Sequence, residues 1–163
     1  MTDNIKLLVV DDEERFLETL TKRLSMRGFD VTPVNRGADA VKVADQQSFD
    51  LALVDLKMPG MSGEEVLEAI KEKHPDMEVV ILTGHGSIDS AVECTKLGSY
   101  TYLQKPCETE ELLQVLKDAY HRRVQRKLQL NEDKVNEMLN LAQGESPLGI
   151  LRKLRDLEKN KEK

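Results

Sequence analysis

The sequence predicts an α/β protein, a doubly wound five-stranded parallel sheet with helices on both faces and a helical extension behind it. Three observations carry that reading. Short apolar runs alternate with segments whose apolar residues recur every three or four positions, and this strand-then-helix unit repeats five times between residues 5 and 121. Parallel neighbours need a crossover, which the helix of each unit supplies, and such crossovers wind with one hand. The runs at residues 7–10, 51–54 and 79–82 are apolar without alternation, as expected of central strands covered on both faces.

The elements follow in order. The first strand, Ile5–Val10, ends in Asp11-Asp12-Glu13-Glu14, and Phe16, Leu17, Leu20 and Leu24 then mark a helix that stops at Gly28. The second strand, Phe29–Val34, alternates and contains Pro33, which places it at an edge of the sheet, and a helix follows over 38–47. The third strand, Leu51–Val54, leads to a helix over Gly63–Lys73 that breaks at His74-Pro75. The fourth unit pairs a strand at 79–82 with a helix at 87–96, and the fifth pairs a strand at 100–103 with a helix opening near Thr109. No proline or glycine interrupts that last helix before Gly144, so it is expected to run to about Leu141, further than the body alone requires.

Composition narrows the functional classes. With 163 residues, 39% of them hydrophobic and 33% charged, the chain suits one ordinary domain plus an appendage, not a large multidomain enzyme. No apolar run reaches the roughly 18 to 20 residues of a membrane span, and the first residues lack the pattern of a signal peptide, so a cytoplasmic protein without membrane insertion is expected. Cys94 and Cys107 accompany no metal or disulfide pattern and read as reduced packing residues. Residues 1–116 hold 12 basic against 22 acidic residues, whereas residues 117–163 hold 12 against 8. The basic residues of that second segment are interleaved with acids, as on a solvated helix face, so direct nucleic-acid binding is not expected.

In open parallel sheets, ligands bind beyond the carboxyl ends of the strands, where the strand order reverses. The first strand ends in Asp11 and Asp12, the third in Asp55, the fourth in Thr83, and the fifth leads into Lys105. One aspartate at a strand end is an ordinary loop residue. Three carboxylates, a hydroxyl and an ammonium on one rim are a constellation. Crowded carboxylates raise one another's pKa unless a cation neutralises them, and oxygen ligands with room for water suit Mg²⁺ or Mn²⁺. Such a site is suited to phosphate: a carboxylate can attack phosphorus to give an aspartyl phosphate, and Asp55, alone at the end of the central strand, is the candidate nucleophile.

The segments LLVVDDEERF, DLALVDLKMPGMSG and VVILTGHGSIDSAVECTKLGSYTYLQKP, with their mutual spacing, resemble the receiver domain of two-component response regulators, most closely those of nitrogen-regulation-type activators. The resemblance covers residues 4–121 as a phosphoacceptor domain and leaves 122–163 as a helical extension. It implies the flavodoxin-like strand order 2-1-3-4-5, Asp55 as phosphoacceptor, and a Mg²⁺ pocket formed by Asp11, Asp12, Asp55 and the backbone carbonyl of Lys57. It further implies that Thr83 hydrogen-bonds the phosphoryl group, that Lys105 pairs with it, and that Tyr102 is an aromatic switch reporting the position of Thr83. By the same resemblance Lys57 and His85 flank the path of attacking water and tune phosphate lifetime, and Lys105-Pro106 is a cis peptide aiming the ammonium into the site. Pro59 and Gly60 shape the loop after Asp55, and Gly63 opens its helix where a side chain would obstruct the approach.

The expected role is a phosphorylation switch served by a sensor histidine kinase, with a protein target not named by the sequence. The chain would act as an enzyme only on its own phosphorylation and dephosphorylation. The alternative is a phosphorelay intermediate passing its phosphoryl group to a histidine phosphotransfer protein; a metal-dependent phosphatase is disfavoured because Asp55-Leu56-Lys57 lacks the second acid of an Asp-x-Asp pair. Leu128, Asn131, Val135, Met138 and Ala142 form a heptad-like stripe, so a homodimer through this helix, or through the face of the fourth helix, fifth strand and fifth helix, stands beside simple packing on the domain. Ser146 and Pro147 open a short final helix with Leu148, Leu151, Leu154 and Leu157 on one face. The stretch GESPLG resembles the start of the activators' ATPase domain, but no recognisable ATPase or DNA-binding output domain is present.

Overall fold

The computed structural model describes residues 4–141 and the positions 149, 152, 155, 156, 158 and 159. Ala142, Ser146 and the leucine stripe of the expected final helix lie outside the described residues. Strands β1 (Ile5–Val10), β2 (Phe29–Val34), β3 (Leu51–Val54), β4 (Glu78–Thr83) and β5 (Thr101–Gln104) alternate with helices α1 (Glu14–Met26), α2 (Gly37–Gln46), α3 (Gly63–Lys73), α4 (Ile88–Lys96) and α5 (Thr109–Leu141). All pairings are parallel, in the order β2-β1-β3-β4-β5, with β2 at one edge as its proline foretold.

The side-chain period of two sorts the central strands into two cores. Leu8, Val10, Ala52, Val54, Val79 and Ile81 face Ala40 and Ala44 of α2, Val66, Leu67 and Ile70 of α3, and Cys94 of α4. Leu7, Val9, Leu51, Leu53, Val80 and Leu82 face Leu17, Leu20 and Leu24 of α1 and Leu112, Leu113, Leu116 and Ala119 of α5. Because both faces are filled, β1, β3 and β4 offer no alternation to the sequence reader. The chain leaves β1 for β2 on one side and returns to β3 on the other, so the reversal of order, and the crevice it opens, lies between β1 and β3.

At the opposite, amino-terminal rim of the sheet, two consecutive arginines of α5 meet acids. Arg123 donates from Nε to Asp50 Oδ1 at 3.1 Å and from Nη1 to Asp76 Oδ2 at 3.0 Å and to the Asp76 carbonyl at 3.3 Å. Arg122 Nε lies 3.9 Å from Oε1 of Glu78, which is itself buried at the start of β4, and its guanidinium stands 5.5 Å from the centre of the Tyr100 ring. By its internal contacts the chain divides into Met1–Arg123 and Val124–Lys163.

Candidate functional site

Backbone ladders deliver the site residues. The Asp55 N–H donates to the Val10 carbonyl at 2.9 Å, the Asp11 N–H to the Val34 carbonyl at 3.1 Å and the Lys105 N–H to the Thr83 carbonyl at 2.9 Å. Each continues its strand pairing by one residue past the strand end, which fixes the Cα positions of Asp11, Asp55 and Lys105 without engaging their side chains. Gly63 lets α3 close over the loop: a Cβ there would overlap the Asp55 carbonyl oxygen and come within 2.6 Å of the Leu56 Cα. Gly60 adopts φ 79°, a backbone conformation that glycine takes without steric cost. Ser62 caps α3 by accepting the Glu65 N–H at 3.2 Å.

The carboxylates of Asp11, Asp12 and Asp55 each offer an oxygen within 4.8 Å of the others. Asp11 and Asp55 are only 2% and 3% exposed, while Asp12 is the more open. One carboxylate oxygen of each buried acid is already committed, Asp11 Oδ1 to the Glu13 N–H at 3.0 Å and Asp55 Oδ1 to the Leu56 N–H at 2.9 Å. Lys105 Nζ donates to Asp11 Oδ2 at 2.6 Å and stands 4.0 Å from Asp55 Oδ2. The same ammonium lies 4.0 Å from the centre of the Phe16 ring. Burial raises the Asp55 pKa above its ordinary value; the Thr83 hydroxyl bonded to it pulls the other way, the Asp11 charge pushes it up again, and Lys105 and the Leu56 N–H oppose.

Three carboxylates thus face one ammonium. This donor set fits a hard divalent cation, because oxygen ligands are already gathered and net negative charge is left over. Beside Asp12 a cleft of about 550 Å³, lined also by Asn35, Arg36, Pro59, Gly60 and Met61, opens to solvent.

The remaining sequence-derived residues fall around this centre. Thr83 is fully buried at the end of β4, and its hydroxyl accepts the His85 N–H at 3.2 Å, so His85 meets the site through its backbone while the residue as a whole is exposed. Lys57 is exposed in the loop after Asp55. Lys105-Pro106 is cis. Tyr102 stands apart from the acids: it packs against the core on the α2–α4 side, and its hydroxyl lies 3.0 Å from Ser90 Oγ on α4. Ser90 and Ser87 form the capping box of α4, and a Cβ at Gly86 would collide with the Tyr102 hydroxyl. Sequence reading passed over Phe16 and Ser90; the first looked like one more apolar residue of α1, and the only signal for the second was its spacing from Ser87. Cys94 and Cys107 are free.

A family profile described as the response regulator receiver domain matches residues 7–117. The chain is 39% identical over 104 residues to the luminescence regulatory protein LuxO of Vibrio campbellii, an alignment that covers 64% of this chain and 23% of LuxO. It therefore spans about a quarter of that relative's length. Among solved structures, a response regulator receiver domain protein from Clostridium thermocellum superposes with a TM-score of 0.70 at 34% identity, covering 73% of this chain and 96% of the other. The beryllofluoride-activated receiver domain dimer of NtrC4 does so with a TM-score of 0.69 at 35% identity, over 72% and 98%.

Proposed function

The chain belongs to the response regulator receiver domain family, and on that footing we propose that it is a two-component phosphorylation switch whose phosphoacceptor is Asp55. The observation that supports this reading most is the placement of Lys105, within reach of both Asp11 and Asp55 at the carboxyl rim where Asp11, Asp12 and Asp55 converge. Asp55 Oδ1 is held by the Leu56 N–H, so Oδ2, on the side of Lys105, is the oxygen that attacks phosphorus. The new P–O bond forms as the P–N bond to the imidazole of a sensor histidine kinase breaks, and the ring, protonated on its other nitrogen in the phosphohistidine, leaves as neutral imidazole. Asp11, Asp12, Asp55 and the Lys57 carbonyl would hold Mg²⁺ or Mn²⁺, which when bound supplies charge neutralisation at the phosphoryl oxygens.

The chain's own residues do the rest. Lys105 exchanges its bond to Asp11 for one to the phosphoryl group, and the Thr83 hydroxyl turns to donate to it. Those two movements bias β4, β5 and α4, and Tyr102, tied to α4 through Ser90, carries the shift to the surface as a change in populations. Lys57 and His85 border the approach of water and set the lifetime of the acyl phosphate. The chain acts in the cytoplasm and has no substrate other than itself. The output is a protein contact, through the face of α4, β5 and α5, where Ile88 and Val92 are exposed, or through the extension of α5, where Leu128 and Val135 are exposed; a second copy of the chain is one such partner.

Intact mass after incubation with acetyl phosphate and Mg²⁺ tests the reading. Wild type gains one phosphate and Asp55→Asn gains none; a doubling of mass by light scattering on phosphorylation assigns the output to self-association. Absence of any gain in wild type with acetyl phosphate or phosphoramidate overturns it.

A further inference from the structure

Phe16 sits in the first turn of α1, one residue ahead of the buried Leu17, and packs against the core only in part. Its ring lies under the Lys105 ammonium, 4.0 Å from nitrogen to centroid. We propose that Phe16 is a positioning residue for the phosphorylation of Asp55, its aromatic face holding the Lys105 ammonium between Asp11 and Asp55. The proposal rests on the phosphoacceptor reading above.

The argument starts from the lysine. An ammonium on a four-carbon stem has many rotamers, and only 14% of the Lys105 side chain is exposed, so water does little to hold its charge in place. Its hydrogen bond to Asp11, at 2.6 Å, is directional and ties it to the wrong acid for the chemistry; Asp55 is 4.0 Å away. To engage a phosphoryl group on Asp55 the ammonium must give up that bond. A ring face attracts a cation through its quadrupole, with little preference for where over the face the cation stands. Phe16 thus keeps hold of the ammonium while its hydrogen-bond partner changes, which a second carboxylate or a hydroxyl in the same place would not do. An aliphatic residue would fill the space and offer no attraction.

Three variants separate the ring from the space it fills. Phe16→Leu and Phe16→Met keep an apolar side chain and lose the aromatic face, while Phe16→Tyr keeps the face. Melting temperatures establish that each is folded, and Mg²⁺ titration reads the acidic pocket independently. The first readout is the Lys105 side-chain resonance in ¹H–¹³C spectra, assigned by its loss in Lys105→Arg. The ε-methylene protons are expected to be shifted upfield by the ring in wild type and Phe16→Tyr and to return to ordinary values in Phe16→Leu and Phe16→Met. The second is the initial rate of phosphate gain from acetyl phosphate and Mg²⁺. Both ring-free variants are expected to slow it by about two- to five-fold, the kinetic equivalent of what an ammonium gains over an aromatic face, with Mg²⁺ affinity unchanged and Phe16→Tyr at the wild-type rate. Ring-free variants phosphorylated at the wild-type rate, a Phe16→Tyr as slow as Phe16→Leu, or no ring shift in wild type would each overturn the role of Phe16 while leaving the phosphoacceptor intact. No phosphate on wild type would overturn both.

Discussion

The two rims of the sheet each gather three carboxylates and treat them differently. At the carboxyl rim Asp11, Asp12 and Asp55 share one lysine. At the amino rim Asp50, Asp76 and Glu78 meet two arginines, Arg122 and Arg123. The guanidinium of Arg123 spends its planar fork on two acids and a carbonyl at once, a geometry that a flexible ammonium cannot match and does not release. The same kind of acid is therefore fastened where two rigid guanidiniums meet three carboxylates, and is left with more uncompensated charge where three carboxylates share a single flexible-stemmed lysine, the arrangement that the proposed phosphoacceptor site calls for.

The comparison breaks most visibly at the fastening. Arg123→Ala should cost about 2 to 3 kcal/mol in urea unfolding, below the figure for a fully buried pair because Asp50 and Asp76 keep 26% and 44% of their side chains exposed. Arg123→Lys should recover only part. Next comes the carboxyl rim with metal: Mg²⁺ at ten times its dissociation constant should stabilise wild type by about 1.4 kcal/mol, and Asp12→Asn should forfeit most of that while Arg123→Lys keeps it.

Without metal the sign reverses at Asp55, since Asp55→Asn should raise the melting temperature at neutral pH. The Asp55 pKa is raised in the folded chain above the ordinary 3.8, so as pH rises through 3.8 the unfolded chain ionises first and folding carries the penalty, in full above the folded-state value. The gain from asparagine should accordingly fade as pH falls towards 3.8, and a gain independent of pH would break the account. The smallest effect belongs to Ser90→Ala, which removes the capping bond of α4 and the partner of Tyr102 for about 0.5 to 1 kcal/mol, read from the same unfolding curves.

The sheet was legible because its grammar is local. β1, β2 and β3 have the expected bounds, and the strand order follows the resemblance. β4 starts at Glu78, one residue earlier than its apolar run, because a glutamate reads as a boundary until Arg122, distant in sequence, is placed beside it. β5 covers Thr101–Gln104 where 100–103 was expected; Tyr100 reads as strand but precedes the ladder, and Gln104 pairs with Thr83. The acids and Lys105 could be found because strand ends place them on one rim. Arg123 with Asp50, and Phe16 with Lys105, could not, since each pair joins residues more than seventy positions apart whose types are ordinary on a helix.

Ser90 Oγ has four hydrogen-bond partners near 3.0 Å: the Ser87 N–H, the Ser87 hydroxyl, the Ser87 carbonyl and the Tyr102 hydroxyl. A serine hydroxyl has one proton and two lone pairs. With the proton on the Ser87 carbonyl and one lone pair taken by the Ser87 N–H, the two hydroxyls compete for a single vacancy. Were the tyrosine to turn away, as the proposed switch requires, the neighbouring serine would already be in position to take its seat. The departure of an aromatic ring from this helix end leaves no orphaned atom behind, so either orientation of Tyr102 finds α4 capped.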